Sequence, residues 1–320
     1  MKKVYLGVDI GSVSINLVAI DYNNEIVFKE YSRSNGQPLI STKKALLNLK
    51  DKLKDDYEIG GVGTTGSGRQ LIGIMLGADV VKNEITAHAT ATMNYVKDAR
   101  TIFEIGGQDS KMIFLKDGFI TDFAMNTVCA AGTGSFLDHQ AERLGVPIEE
   151  FGEHAKKAEK NVRIAGRCTV FAESDMISKQ QFGFSKEDII NGLCEALVRN
   201  YLSNLGRGKK LEPPYVFQGG VAANNGIKDA FERELGEKVF VPENFHVMGA
   251  LGVAILAKEF IHETKRKTNF RGFETAHIDF VPTTFECSGC SNVCEVIKVE
   301  VNGQVVAMWG DKCGKWSNSF

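Results

Sequence analysis

A strand, a glycine-rich polar turn and a second strand occur twice in this chain, and this repeat constrains the fold more than any other feature. The first copy spans Val4–Asp21 and the second spans Thr101–Leu115. Glycine in such a turn lets the backbone approach a phosphate group closely. A single Gly/Ser hairpin is common, but two similar hairpins predict two homologous α/β lobes that close over a nucleotide.

The first turn carries side chains suited to phosphate and Mg²⁺. Gly11 permits close backbone approach, and the hydroxyls of Ser12 and Ser14 can donate to phosphate oxygens. The carboxylate of Asp9 can hold Mg²⁺ through water. A third segment, Tyr215–Phe231, reads as a strand, a glycine pair and a helix, which is suited to bring backbone against an adenosine.

Two cysteines, Cys129 and Cys168, stand where helices are predicted to begin. The unpaired N–H groups and partial positive charge of a helix N-terminus favour an anionic iron–sulfur cluster. Two thiolates cannot complete a four-thiolate cluster. A two-fold symmetric dimer in which each chain contributes both cysteines is therefore the simplest closure.

Composition adds limits on the class of protein. The 320 residues, 43% hydrophobic and 24% charged, are enough for two core-bearing lobes and a small appendage. The net charge of −2 gives no argument for nucleic acid. We expect no apolar run long enough to span a bilayer, and no export signal, which predicts a cytoplasmic protein. Seven cysteines in such a chain argue for reduced thiols or metal ligands.

The three nucleotide-type segments, in this order, resemble the actin, sugar-kinase and acetate-kinase superfamily. Further motifs resemble, more narrowly, the ATP-dependent activators of 2-hydroxyacyl-CoA dehydratases and the ATPase subunits of benzoyl-CoA reductase, over roughly residues 3–257. These motifs are Gly63–Arg69, Glu84–His88, Ile105–Lys111, Cys129–Gly134 and Cys168–Glu173. The resemblance implies an α/β fold, a two-lobed actin/sugar-kinase-like ATPase core built from duplicated ribonuclease-H-like lobes.

The resemblance also implies a function. Such proteins are homodimers that use ATP and Mg²⁺ to deliver electrons from one 4Fe–4S cluster, held at the subunit interface by residues matching Cys129 and Cys168. The electron donor would be ferredoxin or flavodoxin, and the acceptor an iron–sulfur dehydratase or reductase. By motif match, ATP or ADP would be bound by Gly11, Ser12, Ser14, Gly106, Gly107, Gln108, Gly219, Gly220 and Asn224.

Catalytic roles are assigned by the same match. Asp109 is expected to orient the attacking water, with Asp9 and Glu104 around the metal. The chain departs from the family at two positions, because relatives commonly carry Asp where this chain has Glu104 and Lys where it has Asn16. Glu104 keeps a carboxylate, whereas Asn16 removes a positive charge near the phosphates.

Two other functions stay open at this point. A small-molecule or sugar kinase would share the ATPase core, although no acceptor-site signature accompanies the two cysteines. A non-redox regulatory ATPase with zinc sites is the other alternative.

The C-terminal residues lie beyond the stretch that carries the family resemblance. We divide the chain into a core at 1–257 with a lobe boundary near 100, a connector at 258–284, and a four-cysteine module at 285–320 with a strand pair, Val296–Met308. Its cysteines have the spacing C-x2-C-x3-C with a fourth further on, which indicates a four-thiolate site for a second 4Fe–4S cluster or Zn²⁺. One hypothesis is a cluster that relays electrons. The ligands would be Cys287, Cys290, Cys294 and Cys313.

Two further residues have structural interpretations. His88 is predicted to be packed or hydrogen-bonded on a helix, and Cys194, among apolar residues at helical spacing, is predicted to lie in the core.

Overall fold

The chain divides into two compact units, Met1–Lys82 with Val253–Phe320, and Asn83–Gly252. The computed structural model describes residues 1–54, 56–127, 129–166 and 168–319. The first boundary falls between 82 and 83, earlier in the chain than the predicted position near residue 100, and the C-terminal residues belong to the first unit.

The first unit begins with a five-stranded sheet and two helices. The strand order is β3-β2-β1-β4-β5, in which β1 is antiparallel to β2 and parallel to β4. From Val4 onward β1 is buried, as expected for a strand in the middle of a sheet. The elements are β1 (Lys2–Ile10), β2 (Ser14–Ile20), β3 (Ile26–Arg33), α1 (Pro38–Leu53), β4 (Tyr57–Gly66), α2 (Arg69–Leu76) and β5 (Val80–Val81).

The second unit repeats this plan with added helices. Its sheet has the order β8-β7-β6-β9-β10, with β6 antiparallel to β7 and parallel to β9. Both sheets therefore follow one topology, as a duplicated fold requires. The elements are α3 (Glu84–Tyr95), β6 (Thr101–Ile105), β7 (Ser110–Lys116), β8 (Phe119–Asn126), α4 (Gly134–Leu144), α5 (Phe151–Lys156), α6 (Thr169–Gln181), α7 (Lys186–Leu205), β9 (Tyr215–Gln218), α8 (Asn225–Leu235) and β10 (Val239–Phe240).

The core of the second unit is aromatic. Phe103 of β6 stacks on Phe231 of α8 with ring centroids 4.8 Å apart, and Tyr201 of α7 meets both rings edge to face. The hydroxyl of Tyr201 donates to the backbone oxygen of Lys111 at 2.6 Å. Helix α7 is thereby fixed against the strand that follows the second glycine-rich turn.

A long helix, α9 (Met248–Thr264), leads into the C-terminal strands. With the short helical turn before it, Phe245–Thr264 has the length and composition to cross a membrane, at a mean hydropathy of 1.3. The expectation that no apolar run reaches this length is therefore wrong. Of the apolar window, 56% is buried inside the protein, which is typical of a core helix.

The C-terminal residues form the predicted strand pair and a third strand that precedes it. These are β11 (Phe280–Glu286), β12 (Glu295–Val301) and β13 (Gln304–Trp309), joined in that order in an antiparallel sheet. Phe280 and Val299 are buried in the same hydrophobic cluster as β1 and α1. The stretch from 258 to 284 is thus more than a link, because its first part continues α9 and its last part enters the core of the first unit.

Candidate functional site

The first glycine-rich turn is a tight hairpin with a buried carboxylate at its base. The N–H of Gly11 donates to the carbonyl of Ser14 at 2.9 Å, which closes the turn between β1 and β2. Ser34, at the end of β3, donates from its hydroxyl to the carbonyl of Ser12 at 2.8 Å. Asp9 is buried just before this turn.

Two buried polar atoms beside Asp9 lack hydrogen-bond partners. Asn16 lies opposite Asp9 on β2, and Thr65 lies opposite it on β4. Neither the Oδ1 of Asn16 nor the Oγ1 of Thr65 has a partner within the described part of the chain. A hydrated Mg²⁺ requires such oxygen ligands and water acceptors. The residues around Asp9 therefore fit a hydrated divalent cation.

The second turn has the same backbone geometry but a different charge arrangement. The N–H of Gly106 donates to the carbonyl of Asp109 at 3.0 Å. Glu104 on β6 lies opposite Lys111 on β7, which are the positions that correspond to Asp9 and Asn16 in the first hairpin. Both hairpins therefore carry a carboxylate at the first of these positions. The residue opposite the carboxylate is asparagine in the first hairpin and lysine in the second.

Lys111 binds three carboxylates. Its Nζ lies 2.6 Å from Glu84, 3.1 Å from Glu104 and 2.9 Å from Asp109, and the lysine side chain is almost completely buried. Burial opposes the charged form of Lys111, but the carboxylates outweigh it and raise the pKa. Lys111 therefore holds the carboxylate of Asp109, the residue expected to orient water.

The pKa of Glu104 is raised to about 8. Burial is the main cause; Lys111 opposes it, whereas Asp109 and Glu84 add to it. Burial therefore favours the protonated form of Glu104, whereas the adjacent Lys111 favours its charged form.

His88 lies behind this cluster in a hydrogen-bonded position, as predicted. Its Nδ1 is 2.9 Å from the Nε2 of Gln218, whose Oε1 is 2.8 Å from the hydroxyl of Thr92. Burial is the main cause that lowers the pKa of His88 to about 3, so the ring is neutral. Gln218 is also the last residue of β9, so this network fixes the strand that leads into the glycine pair.

The glycine pair after β9 makes the backbone pass close to the second hairpin. Gly219 has a φ of +88°, and a Cβ there would lie 2.4 Å from the carbonyl oxygen of Ile105. Only glycine fits this position. Asn224 caps α8 by accepting from the N–H of Ile227, while its Nδ2 is buried without a partner in the described residues. A free amide donor at this place fits a ribose or adenine acceptor.

Cys168 stands at the start of a helix, as predicted, whereas Cys129 precedes only a three-residue 3₁₀ turn. Cys129 caps a single helical turn that precedes α4, and Cys168 caps α6. Both side chains are half-buried, and neither is in a disulfide. Two thiols at helix N-termini in one chain suit half of a four-thiolate cluster.

The two cysteine segments are held by asparagine side chains. The side-chain amide of Asn126 binds the backbone of Cys129 at two points. Its Oδ1 accepts from the N–H of Cys129 at 2.9 Å, and its Nδ2 donates to the carbonyl of Cys129 at 2.7 Å. The amide of Asn200, on α7, donates to the carbonyl of Gly166, two residues before Cys168. Helix α7 therefore fixes the chain that leads to the second cysteine.

The segment after Cys129 is bonded directly to the second phosphate turn. The N–H of Gly134 donates to the carbonyl of Gly106 at 2.9 Å, and the N–H of Ser135 donates to Gly107 at 2.8 Å. The hydroxyl of Ser135 also reaches the carbonyl of Gly107, at 2.6 Å. A displacement of this turn is therefore transmitted to the start of α4.

The C-terminal cysteines lie at one end of the β11–β12–β13 sheet. Cys287 is buried and Cys294 half-buried, whereas Cys290 and Cys313 are exposed. The pKa of Cys287 is lowered, mainly by the indole N–H of Trp316, although that N–H does not reach normal hydrogen-bond geometry. Within the described residues, no three His, Cys, Asp or Glu side chains converge as metal ligands.

Comparison with known proteins identifies the family. The model of the BadF/BadG/BcrA/BcrD ATPase family matches residues 6–257. The chain belongs to this family. Its C-terminal sheet lies outside the matched residues.

Curated relatives of this ATPase include activators of acyl-CoA dehydratases. The (R)-2-hydroxyglutaryl-CoA dehydratase activating ATPase of Acidaminococcus fermentans is 35% identical, over 79% of this chain and 96% of the relative. The activator of lactoyl-CoA dehydratase of Anaerotignum propionicum is 37% identical, over 79% and 97%. The predicted family resemblance is confirmed.

A solved structure agrees with the architecture of this ATPase. The activator of the 2-hydroxyisocaproyl-CoA dehydratase from Clostridium difficile, with bound ADPNP, superposes with a TM-score of 0.75 at 34% identity. The match covers 82% of this chain and 97% of the other. The predicted actin/sugar-kinase-like fold is confirmed.

Sequence reasoning gave no role to Lys111, Glu84 or Ser135. The position of Lys111 opposite Glu104 could have been predicted from the hairpin itself, because the turn sets which residues of β6 and β7 face each other. The contact of Glu84 with Lys111 joins α3 to β7, and no local pattern indicates it.

Proposed function

We propose that this ATPase is a cytoplasmic, ATP-dependent electron-transfer protein that activates an iron–sulfur dehydratase or reductase. The observation that carries the proposal is the bonding of the segment after Cys129 to the Gly106–Gly107 turn. A phosphate-type turn and a thiol at the start of a helical segment are joined there by three hydrogen bonds. Nucleotide state and thiol position can therefore be coupled within one unit.

The nucleotide assignment follows the two hairpins and the glycine pair. We propose that both hairpins bind the phosphates of ATP or ADP, with Gln108 beside the second, and that Gly219, Gly220 and Asn224 bind the adenosine. The relative that superposes on this chain was solved with ADPNP, and the orphaned amide of Asn224 supports the adenosine assignment.

The catalytic groups separate into two roles. Asp9, flanked by the unpartnered oxygens of Asn16 and Thr65, is the better candidate for Mg²⁺. Lys111, which also binds Glu84 and Glu104, holds Asp109 in place to orient water. Glu104 occupies the position that corresponds to Asp9, and we keep it as a candidate for a place near the metal.

The proposed redox group is one 4Fe–4S cluster held by Cys129 and Cys168 of two copies of the chain. When bound, such a cluster supplies one-electron transfer at low potential. Each chain contributes two thiols in helix N-terminal environments, and a dimer completes the set. The electron donor would be ferredoxin or flavodoxin.

Exposed apolar residues next to each cysteine support the dimer. Val170 and Phe171, which follow Cys168, are each 67% exposed, and Phe123 on the edge strand β8 is 51% exposed. Exposed large apolar side chains on segments that carry candidate ligands favour a surface that a protein partner covers. A second copy is the partner that also completes the four thiolates.

The test measures two quantities: ATP hydrolysis, and the rate at which a chelator removes iron from the protein. The anaerobically purified protein would be mixed with an iron chelator, and iron release followed with MgATP, MgADP or no nucleotide. We expect hydrolysis to phosphate without phosphoryl transfer to sugars, and a release rate that changes severalfold with MgATP. Iron release that is indifferent to nucleotide, or phosphoryl transfer to a small molecule, would overturn the proposal.

A further inference from the structure

We propose that Cys287, Cys290, Cys294 and Cys313 form a four-thiolate Zn²⁺ site that closes the end of the C-terminal sheet. The site lies outside the residues matched by the family model. The inference does not depend on the electron-transfer function, because none of these residues belongs to the nucleotide or Cys129/Cys168 sites.

The first pair of ligands is aligned by the strands. The pairing of β11 with β12 ends at Glu286 opposite Glu295, and the next residues in register are Cys287 and Cys294. The N–H of Cys287 donates to the carbonyl of Cys294 at 2.8 Å. Residues directly opposite in an antiparallel pair project to one face, with Cβ atoms about 4.5–5.5 Å apart. Two thiols are therefore held side by side.

The other two cysteines are on segments that return to this pair. Cys290 is in the loop between them, and its carbonyl accepts from the N–H of Val293 at 3.3 Å. Cys313 follows β13 after Gly310, where a Cβ would lie 2.4 Å from the carbonyl oxygen of Glu295. The backbone at Gly310, three residues before Cys313, therefore packs closely against Glu295, the residue after Cys294.

A buried N–H group faces the same region. The rings of Trp316 and Phe285 meet edge to face at 5.2 Å, which brings the indole to the end of β11. Its Nε1 is buried with no hydrogen-bond partner in the described residues. The Nζ of Lys315 lies 3.6 Å from the position that a Cβ on Gly289 would occupy. An N–H donor and a cation at this place offset the negative charge of metal-bound thiolates.

The spacing of the thiols favours a single ion over a cluster. Zn–S bonds of about 2.3 Å place the sulfurs of a tetrahedral site about 3.8 Å apart, which a directly opposed strand pair can supply. A 4Fe–4S cluster is wider and holds its ligands further apart. The four thiols do not converge in the described structure. Cys290 and Cys313 are exposed, so their side chains can rotate towards Cys287 and Cys294 when the ion binds. Cys287 and Cys290 also have the short C-x2-C spacing found in closed zinc sites.

The experiment counts zinc and iron in the full-length protein after anaerobic purification. The variants are Cys290→Ser, Cys313→Ser and the double variant Cys129→Ala/Cys168→Ala. Cys194→Ala is the matched control, because it also removes a thiol but lies in the core of the second unit. Circular dichroism checks that each variant is folded, and the two exposed cysteines are chosen because serine there disturbs no packing.

We expect one zinc per chain in the wild type, in the Cys129→Ala/Cys168→Ala protein and in Cys194→Ala, and at least a tenfold loss in Cys290→Ser and Cys313→Ser. Iron and sulfide that persist in the Cys129→Ala/Cys168→Ala protein would overturn zinc in favour of a second cluster. A wild type with no metal and four titratable C-terminal thiols would overturn the site itself. Loss of iron alone would affect the proposed function and leave this site intact.

Discussion

Lys111 balances three carboxylates at the second phosphate hairpin, and its loss should be costly. Lys111→Met would leave Glu84, Glu104 and Asp109 close together without a cation. Removing one partner of a buried ion pair costs about 3–5 kcal/mol, so we expect the free energy of unfolding in urea to fall by about that amount.

The control for this prediction is Lys209→Met. Lys209 pairs with Asp122 on the surface, where removal of an ion pair costs about 1 kcal/mol or less. Adding Glu84→Gln to Lys111→Met should restore part of the lost stability, because it removes one of the carboxylates that Lys111 binds. Equal effects of the two lysine substitutions would contradict the role given to Lys111.

Glu104 should make the stability of the protein fall as pH rises. Its folded pKa of about 8 lies above the ordinary value of 4.5 for a glutamate, so the folded protein binds the proton more tightly than the unfolded chain does. This contribution is fully present below about pH 4.5 and is lost as pH rises through about 8.

The measurement is urea unfolding at pH 6.5 and pH 8.5 for the wild type and Glu104→Gln. Unfolded histidine still titrates at the lower end of this range, and this contribution is common to both proteins. We expect the wild type to be less stable at pH 8.5 and Glu104→Gln to show a smaller change. The buried His88 acts in the opposite sense, since its lowered pKa removes stability as pH falls below 6.5. An unchanged pH dependence in Glu104→Gln would contradict the raised pKa.

At the scale of elements, the start of α4 is the link between nucleotide and thiol. Ser135→Ala removes the hydroxyl that reaches the carbonyl of Gly107 and should cost only about 0.5–1.5 kcal/mol of stability. We expect ATP hydrolysis and iron content to be retained, while the effect of MgATP on iron release by a chelator decreases severalfold.

Ser174→Ala is the matched control for this link. Its hydroxyl donates to the carbonyl of Val170 within α6 and has no contact with the phosphate turn. The nucleotide effect on iron release should be unchanged in this variant. If Ser135→Ala behaves in the same way as Ser174→Ala, the link through α4 is wrong.

The elements that could be predicted are those with local causes. The two hairpins were predictable because glycine and short polar residues set each turn by themselves, and Cys168 was expected at a helix start that the structure contains. The burial of Cys194 followed from helical spacing. Strand β11 was missed because most of its residues are exposed, so its apolar pattern is weak.

The elements that could not be predicted depend on distant contacts. Glu84 meets Lys111 through the packing of α3 against β7. Asn200 reaches Gly166 from α7. Residues far apart in sequence come together there, and neither partner carries a local pattern that indicates the other.

At the scale of the whole molecule, the dimer should depend on the apolar residues beside Cys168. Phe171→Asp places a charge on an exposed apolar side chain three residues after that cysteine. We expect a monomer by anaerobic size-exclusion chromatography and loss of most of the bound iron, because one chain supplies only two thiols.

Phe182→Asp is the control for the dimer prediction. Phe182 is 71% exposed and follows the other end of α6, about 21 Å from Cys168 at the rise of an α-helix. This variant should remain dimeric and keep its iron. A Phe171→Asp protein that still dimerises with full iron content would contradict the proposed interface.

The most direct measurement is anaerobic native mass spectrometry with iron and sulfide quantification of the wild type, Cys129→Ala and Cys168→Ala. The account predicts a dimer with four iron and four sulfide per two chains, lost in both variants. A cluster carried by a single chain, or a wild type without iron after anaerobic reconstitution, would contradict the ATP-driven electron-transfer function.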